Sequence, residues 1–110
     1  ADAGGIEVIV AALRAHPQVA GVQRCGCWAM ANVCAGSDAA AFAHRQRAAD
    51  AGGIEVIVAA LRAHPQVAGV QRCGCQAMGN VCVGSDAAAF AHRQRAADAG
   101  GIEAVVAAMQ

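Results

Sequence analysis

The chain reads as an all-α solenoid of helical repeats, and three observations predict that class. Residues 1–48 return as residues 49–96 with three differences only, Trp28 against Gln76, Ala31 against Gly79 and Ala35 against Val83, and residues 97–110 open the same text a third time. A period of 48 residues is the size of one supersecondary unit, which buries its apolar face only by stacking on the next. Much of the 57% apolar content is alanine, the strongest helix former, whereas Tyr and Thr are absent and the aromatics are two Phe and one Trp. Apolar residues also recur at helical spacing.

Three helices are predicted per unit. Ile6, Ile9, Val10 and Leu13 fall at i, i+3, i+4 and i+7 after Gly4-Gly5, and His16-Pro17 closes the run because proline cannot continue a helix. This is the middle helix of a unit. The next stretch places Val22, Met30 and Val33 with Gly26 and Cys27 on one face and stops at Gly36. Its small residues let a neighbouring helix approach closely. Ser37 then stands at an N-cap position, Asp38 complements the positive helix end, Phe42 is the one bulky anchor, and Arg45 and Arg47 lie toward the negative end. Gly52 ends that helix. Because the chain begins and ends in a middle helix, seven helices are expected, in two full units (1–48 and 49–96) and a partial one (97–110).

Eight Arg balance eight Asp plus Glu, so no net field favours nucleic acid or an anionic membrane. No apolar run is long enough to span a bilayer and no signal-peptide pattern is present. An intracellular chain, cytoplasmic or nuclear, is expected; the absent initiator Met and the stop at Gln110 suggest a fragment of a longer parent.

Six cysteines and four histidines invite a metal or redox reading. Residues two apart on a helix point about 200° from each other, so Cys25 and Cys27 can neither share an ion nor form a bridge. Cys27 and Cys34 read as small core residues. Cys25 and Cys73 read as free thiols beside the binding face described below, in handling terms oxidisable. His16 and His64, each before a proline, read as imidazoles meeting free helix-end carbonyls, and His44 and His92 as surface residues. Gly4-Gly5 lacks the Lys-Ser/Thr partner of a phosphate loop, and Ser37, Asp38 and His44 form an ordinary helix start. No catalytic residue, metal or cofactor is predicted.

Ala3-Gly-Gly-Ile6 and its copy Ala51 to Ile54, Val22-Gln23 and Val70-Gln71, and Trp28-Ala-Met-Ala-Asn32-Val33 resemble the armadillo repeat family. The family's period is about 42 residues, and the excess here falls in the helix from Ser37 to Ala51 and near Pro17 to Gly21. The resemblance implies a right-handed solenoid whose third helices line a concave groove for an extended peptide. It makes Asn32 and Asn80 the groove asparagines and Trp28 the groove tryptophan, with Gln76 in its place in the second unit. An Asn amide offers a donor and an acceptor and so can hold a peptide backbone whatever its sequence. Trp28 and Asn32, four apart, share a helix face. Arg24 and Arg72 with no carboxylate between Pro17 and Ser37 argue against basic guests.

The expected function is therefore non-enzymatic: a scaffold that binds a protein or peptide partner. The alternative is a structural repeat within a longer solenoid, whose uncapped ends drive homo-oligomer formation. Both ends repeat interior text, so the rows Ile6/Ile9/Leu13 and Ile102/Val105/Met109 are expected to lack a cover.

Overall fold

Among the described residues, seven helices follow one another in the order that the repeat dictates. The computed structural model describes residues 3–36, 38–83 and 87–108. Helices α1 (Ala3–Ala15), α4 (Gly53–Ala63) and α7 (Gly101–Ala108) share one text, α2 (Ala20–Val33) and α5 (Ala68–Cys82) a second, and α3 (Ala39–Asp50) and α6 (Ala87–Asp98) a third. No strand is found among the described residues. The Cα radius of gyration is 12.4 Å, close to the ~13 Å of a compact chain of this length. The all-helical class and the seven helices are as the sequence predicts.

Proline and glycine set the boundaries. Pro17 closes α1, and the turn is held by Val19 N–H donating to His16 O at 3.2 Å. The α3 cap is Asp38, whose carboxylate accepts from Ala41 N–H at 2.9 Å; Ser37, the cap expected from sequence, lies outside the described residues. Gly52 has φ +89°, a left-handed conformation that ends α3 and at once caps α4. Gly53 allows that turn to be tight: a Cβ there would sit 2.7 Å from Ala48 O, a backbone atom.

Ile6, Val10 and Leu13 of α1, Ile54, Ile57 and Leu61 of α4, and Cys27, Met30, Val70, Met78 and Val81 of α2 and α5 form one continuous core. Close helix approach lets residues this small fill it. Gly26 lies under Leu13 and Gly74 under Leu61, each with less than 3 Å between the leucine and the position of an added Cβ. Contact between α2 and α5 is the most extensive in the molecule. Arg24 lies over Gly69, Cys27 is near Cys73 and Cys75, and Asn80 reaches Ala31. Residue numbers rise together along both helices, so the two run parallel.

Several side chains serve other ends than their sequence positions suggest. Phe42 is 44% exposed and Phe90 64%, so neither anchors its helix. The buried stripe of α3 is Ala41, Arg45, Ala48 and Ala49, a single face at helical spacing from which Phe42 is turned away. Arg45 belongs there because its guanidinium donates to Cys34 O at 3.0 Å, at the C-terminal cap of α2, and to Gly36 O at 2.9 Å in the turn that follows. The histidines expected at the surface also reach such carbonyls. His44 Nδ1 bonds Val33 O and the buried His92 Nδ1 bonds Val81 O, both at 3.1 Å.

The uncovered rows also differ from expectation. Ile6 and Leu13 are buried, with α2, α3 and α4 all packed against α1, and Ile9 is half-buried. Ile102 is exposed as expected, while the side chains of Val105 and Met109 lie outside the described residues. No described helix is long and apolar enough to cross a membrane.

Candidate interaction surface

The four residues singled out by sequence lie on α2 and α5, the parallel pair at the centre of the molecule. Trp28 is 60% exposed, which fits its exchange for Gln76, also exposed, in the other unit. Asn32 follows one turn later, exposed, and its Nδ2 donates to Trp28 O at 3.1 Å. This is a bond within the same helix, from i to i−4, available without a neighbour. Asn80 behaves differently. Its Nδ2 donates to Ala31 O at 2.8 Å, which joins α5 to α2 and sets Asn80 beside Asn32.

Trp28 and Asn32 are thus one turn apart on α2, Asn80 reaches the α2 backbone at the residue before Asn32, and Gln76 stands one turn before Asn80 on the second helix. Each Asn amide retains one N–H and its Oδ1, for which no partner is seen among the described residues. The surface is open: a depression beside Asn32, about 340 Å³, is shallow and lined by Asn32, Val33, Ala35, Asp38, Ala40, Ala41 and His44. Such a surface can hold a backbone and pack a side chain against the indole, but it does not exclude water.

The α1 to α2 turn shows polar roles that sequence reasoning missed. Leu13 O would ordinarily accept from the residue four later, which is Pro17 and has no N–H. Gln23 supplies the missing donor, its Nε2 bonding Leu13 O at 3.0 Å and His16 O at 2.9 Å. Gln71 does the same for Leu61 O and His64 O at 3.0 and 2.8 Å, opposite Pro65. A proline four residues after a helical carbonyl was the readable signal. With those carbonyls occupied, the histidines are not caps of their own helices. His64 instead bonds Pro17 O of the first repeat, Nε2 to oxygen 2.9 Å, and His16 is exposed.

All six thiols are free. Cys27 and Cys34 are fully buried, as small core residues should be, and burial pushes their thiols up to about 12 and about 11, with the neighbouring Cys73 and Cys75 adding to the rise at Cys27 and Arg45 opposing it at Cys34. Burial also raises Cys75 and Cys82. Cys25 is exposed, but Cys73, expected to be its accessible counterpart, is buried under the first repeat. No group of three or more potential metal ligands occurs among the described residues. No protein-family model, curated protein or solved structure matches the chain.

Proposed function

We propose that the chain is a non-enzymatic protein-interaction module, a stretch of armadillo-type right-handed solenoid that binds extended peptide segments of a protein partner along α2 and α5. The observation that supports this most is an exposed indole on α2, one turn from an exposed amide, with a second amide on α5 bonded to the α2 backbone between those two positions. Tryptophan offers a large contact area at little entropic cost, and Asn Oδ1 with its second N–H meets a peptide backbone without reading its side chains. Balanced charge supports a protein partner over nucleic acid or a membrane surface. Helices pack about 8–10 Å apart and an extended chain advances about 3.3 Å per residue, so each repeat reads two or three guest residues.

The test is panning of a random peptide library on the reduced protein, counter-screened on Trp28→Gln with Asn32→Ala. Both positions are exposed, so the variant keeps its fold. Peptides enriched on the wild type and lost on the variant support the site; peptides that bind both equally, or no enrichment, contradict it. A second reading, a structural repeat whose ends associate, is favoured by the use of Asn80 to join the repeats.

A further inference from the structure

We infer that the peptide taken up along α2 and α5 is acidic, with carboxylate side chains two or three residues apart that meet Arg24 and Arg72. The inference rests on the peptide-binding reading above and names the class of guest. The chain as a whole is neutral, but its charges are segregated. Arg24 is the one charged residue of α2, and Arg72 the one charged residue of α5. Every carboxylate of the sequence lies outside these two helices and outside the turns, residues 16–19 and 64–67, that lead into them. A guest lying across the pair therefore finds, on the helices themselves, positive charge only.

The chain has no lysine, and most of its eight arginines serve the backbone. Arg14 donates to Ala51 O, Arg45 to Cys34 O and Gly36 O, Arg62 to Gly100 O, Arg93 to Cys82 O and Arg95 to Ala49 O. Arg24 and Arg72 do nothing of the kind. Both are exposed, and among the described residues neither has a hydrogen bond or an ion pair. An arginine that neither closes a helix end nor neutralises a carboxylate is open to a carboxylate from outside, and its fork of donors matches one in two parallel bonds.

Arg24 is also seated. Its Cδ lies 2.5 Å from where a Cβ on Gly69 would stand, so glycine there leaves room for the stem to cross from α2 onto the start of α5. That seam lies between the two repeats, and both of its sides are present. Arg24, Trp28 and Asn32 fall at i, i+4 and i+8, as do Arg72, Gln76 and Asn80, which sets a guanidinium, a contact for a side chain and an amide in one row on each helix. Packed helices lie about 8–10 Å apart and an extended chain advances about 3.3 Å per residue, so the two guanidiniums match carboxylates two or three residues apart. Nucleic acid fits less well: a phosphate at every nucleotide calls for a run of cations and a row of stacking rings, and α2 and α5 carry two arginines and one indole.

The test uses three sets of short labelled peptides built on the same apolar residues, with a pair of Glu, of Gln or of Lys placed two or three residues apart. Binding to the reduced protein is read by fluorescence anisotropy at low ionic strength. The wild type is expected to bind the Glu set best and to lose that preference as salt is raised. Arg24→Gln and Arg72→Gln should each weaken the Glu set about two- to fivefold, the value of an exposed ion pair, and leave the Gln set unchanged. Arg24→Glu with Arg72→Glu should turn the preference to the Lys set. Circular dichroism checks that each variant is folded; should a change at Arg24 lose helicity, the Arg72 variants carry the test alone. Trp28→Gln with Asn32→Ala separates this inference from the reading beneath it, because that variant should lose all three sets alike. Sets that bind the wild type equally and are lost on that variant leave the peptide site standing and overturn its acidic guest. A Glu preference that persists in Arg24→Gln with Arg72→Gln overturns it too, as does an oligothymidylate that displaces the Glu peptide at equal charge. No binding of any set overturns both readings.

Discussion

Gln23→Met and Gln71→Met make the same change in two environments and so isolate what one repeat gains from its neighbour. Methionine matches glutamine in length and has no donor. In the first repeat Gln23 is 2% exposed, so its loss strands Leu13 O, which Pro17 cannot serve, and weakens the environment of His16 O, which keeps the Val19 N–H. An unsatisfied buried carbonyl costs about 1–3 kcal/mol and a lost ordinary bond about 1 kcal/mol, so Gln23→Met should cost about 2–4 kcal/mol. Gln71 is half-buried, because its outer side is not covered, and water can replace its amide at Leu61 O. Gln71→Met should therefore cost about 1 kcal/mol. For a domain of this size the difference corresponds to about 5–15 °C in midpoint. Thermal unfolding followed by circular dichroism, on dilute reduced protein, measures it. Equal midpoints for the two variants would refute the reasoning, since they would mean that the neighbouring repeat does not dry the first clamp.

Other outcomes follow from the same structure. Gly53→Ala places a Cβ 2.7 Å from Ala48 O and forces the α3 to α4 turn apart; a loss of about 1–3 kcal/mol is expected in urea unfolding. Trp28→Gln reproduces the residue that the second repeat already carries at an exposed position, so stability should change by no more than about 0.5 kcal/mol in the same assay. Stability should also fall in alkali. Cys27 and Cys34 ionise only near 12 and 11 when folded, against an ordinary value of 9.0, so the thiol contribution is intact below pH 9 and is lost as the pH rises through 9 to 12. There the unfolded chain releases protons that the folded chain keeps, with a slope of about 1.4 kcal/mol per pH unit for each thiol. Urea midpoints from pH 8 to 11 that stay level would contradict the buried placement of these two thiols.

Local chemistry makes the helices legible in the sequence: Pro17 and Pro65, the glycines after the helices, and the 48-residue period place all seven. The core row of Ile6, Val10 and Leu13 and the small buried thiols were legible for the same reason, since helical spacing decides which residues share a face. Contacts between elements were harder to read. Arg45, His44 and His92 look like surface residues on a polar helix, and only the arrival of α3 and α6 against the ends of α2 and α5 turns them into partners for open carbonyls. Phe42 looks like an anchor because it is large, but a helix held by alanines and a guanidinium has no room beneath it for a ring. Of the candidate site, the exposure of Trp28 could be inferred from its exchange for Gln76. The bond of Asn80 to Ala31 O could not, because it depends on the register of α5 along α2.

Trp28 is the single tryptophan, so its emission reports directly on the proposed binding face. In the free chain the 60% exposed indole should emit as a solvated ring open to iodide quenching. Titration with a panned peptide, at a protein concentration where the chain is monomeric, should shift the emission to the blue and reduce quenching in a saturable way, and Asn32→Ala should weaken the titration severalfold. Peptides that bind without changing the emission or quenching of Trp28 would place the interaction elsewhere and contradict the account.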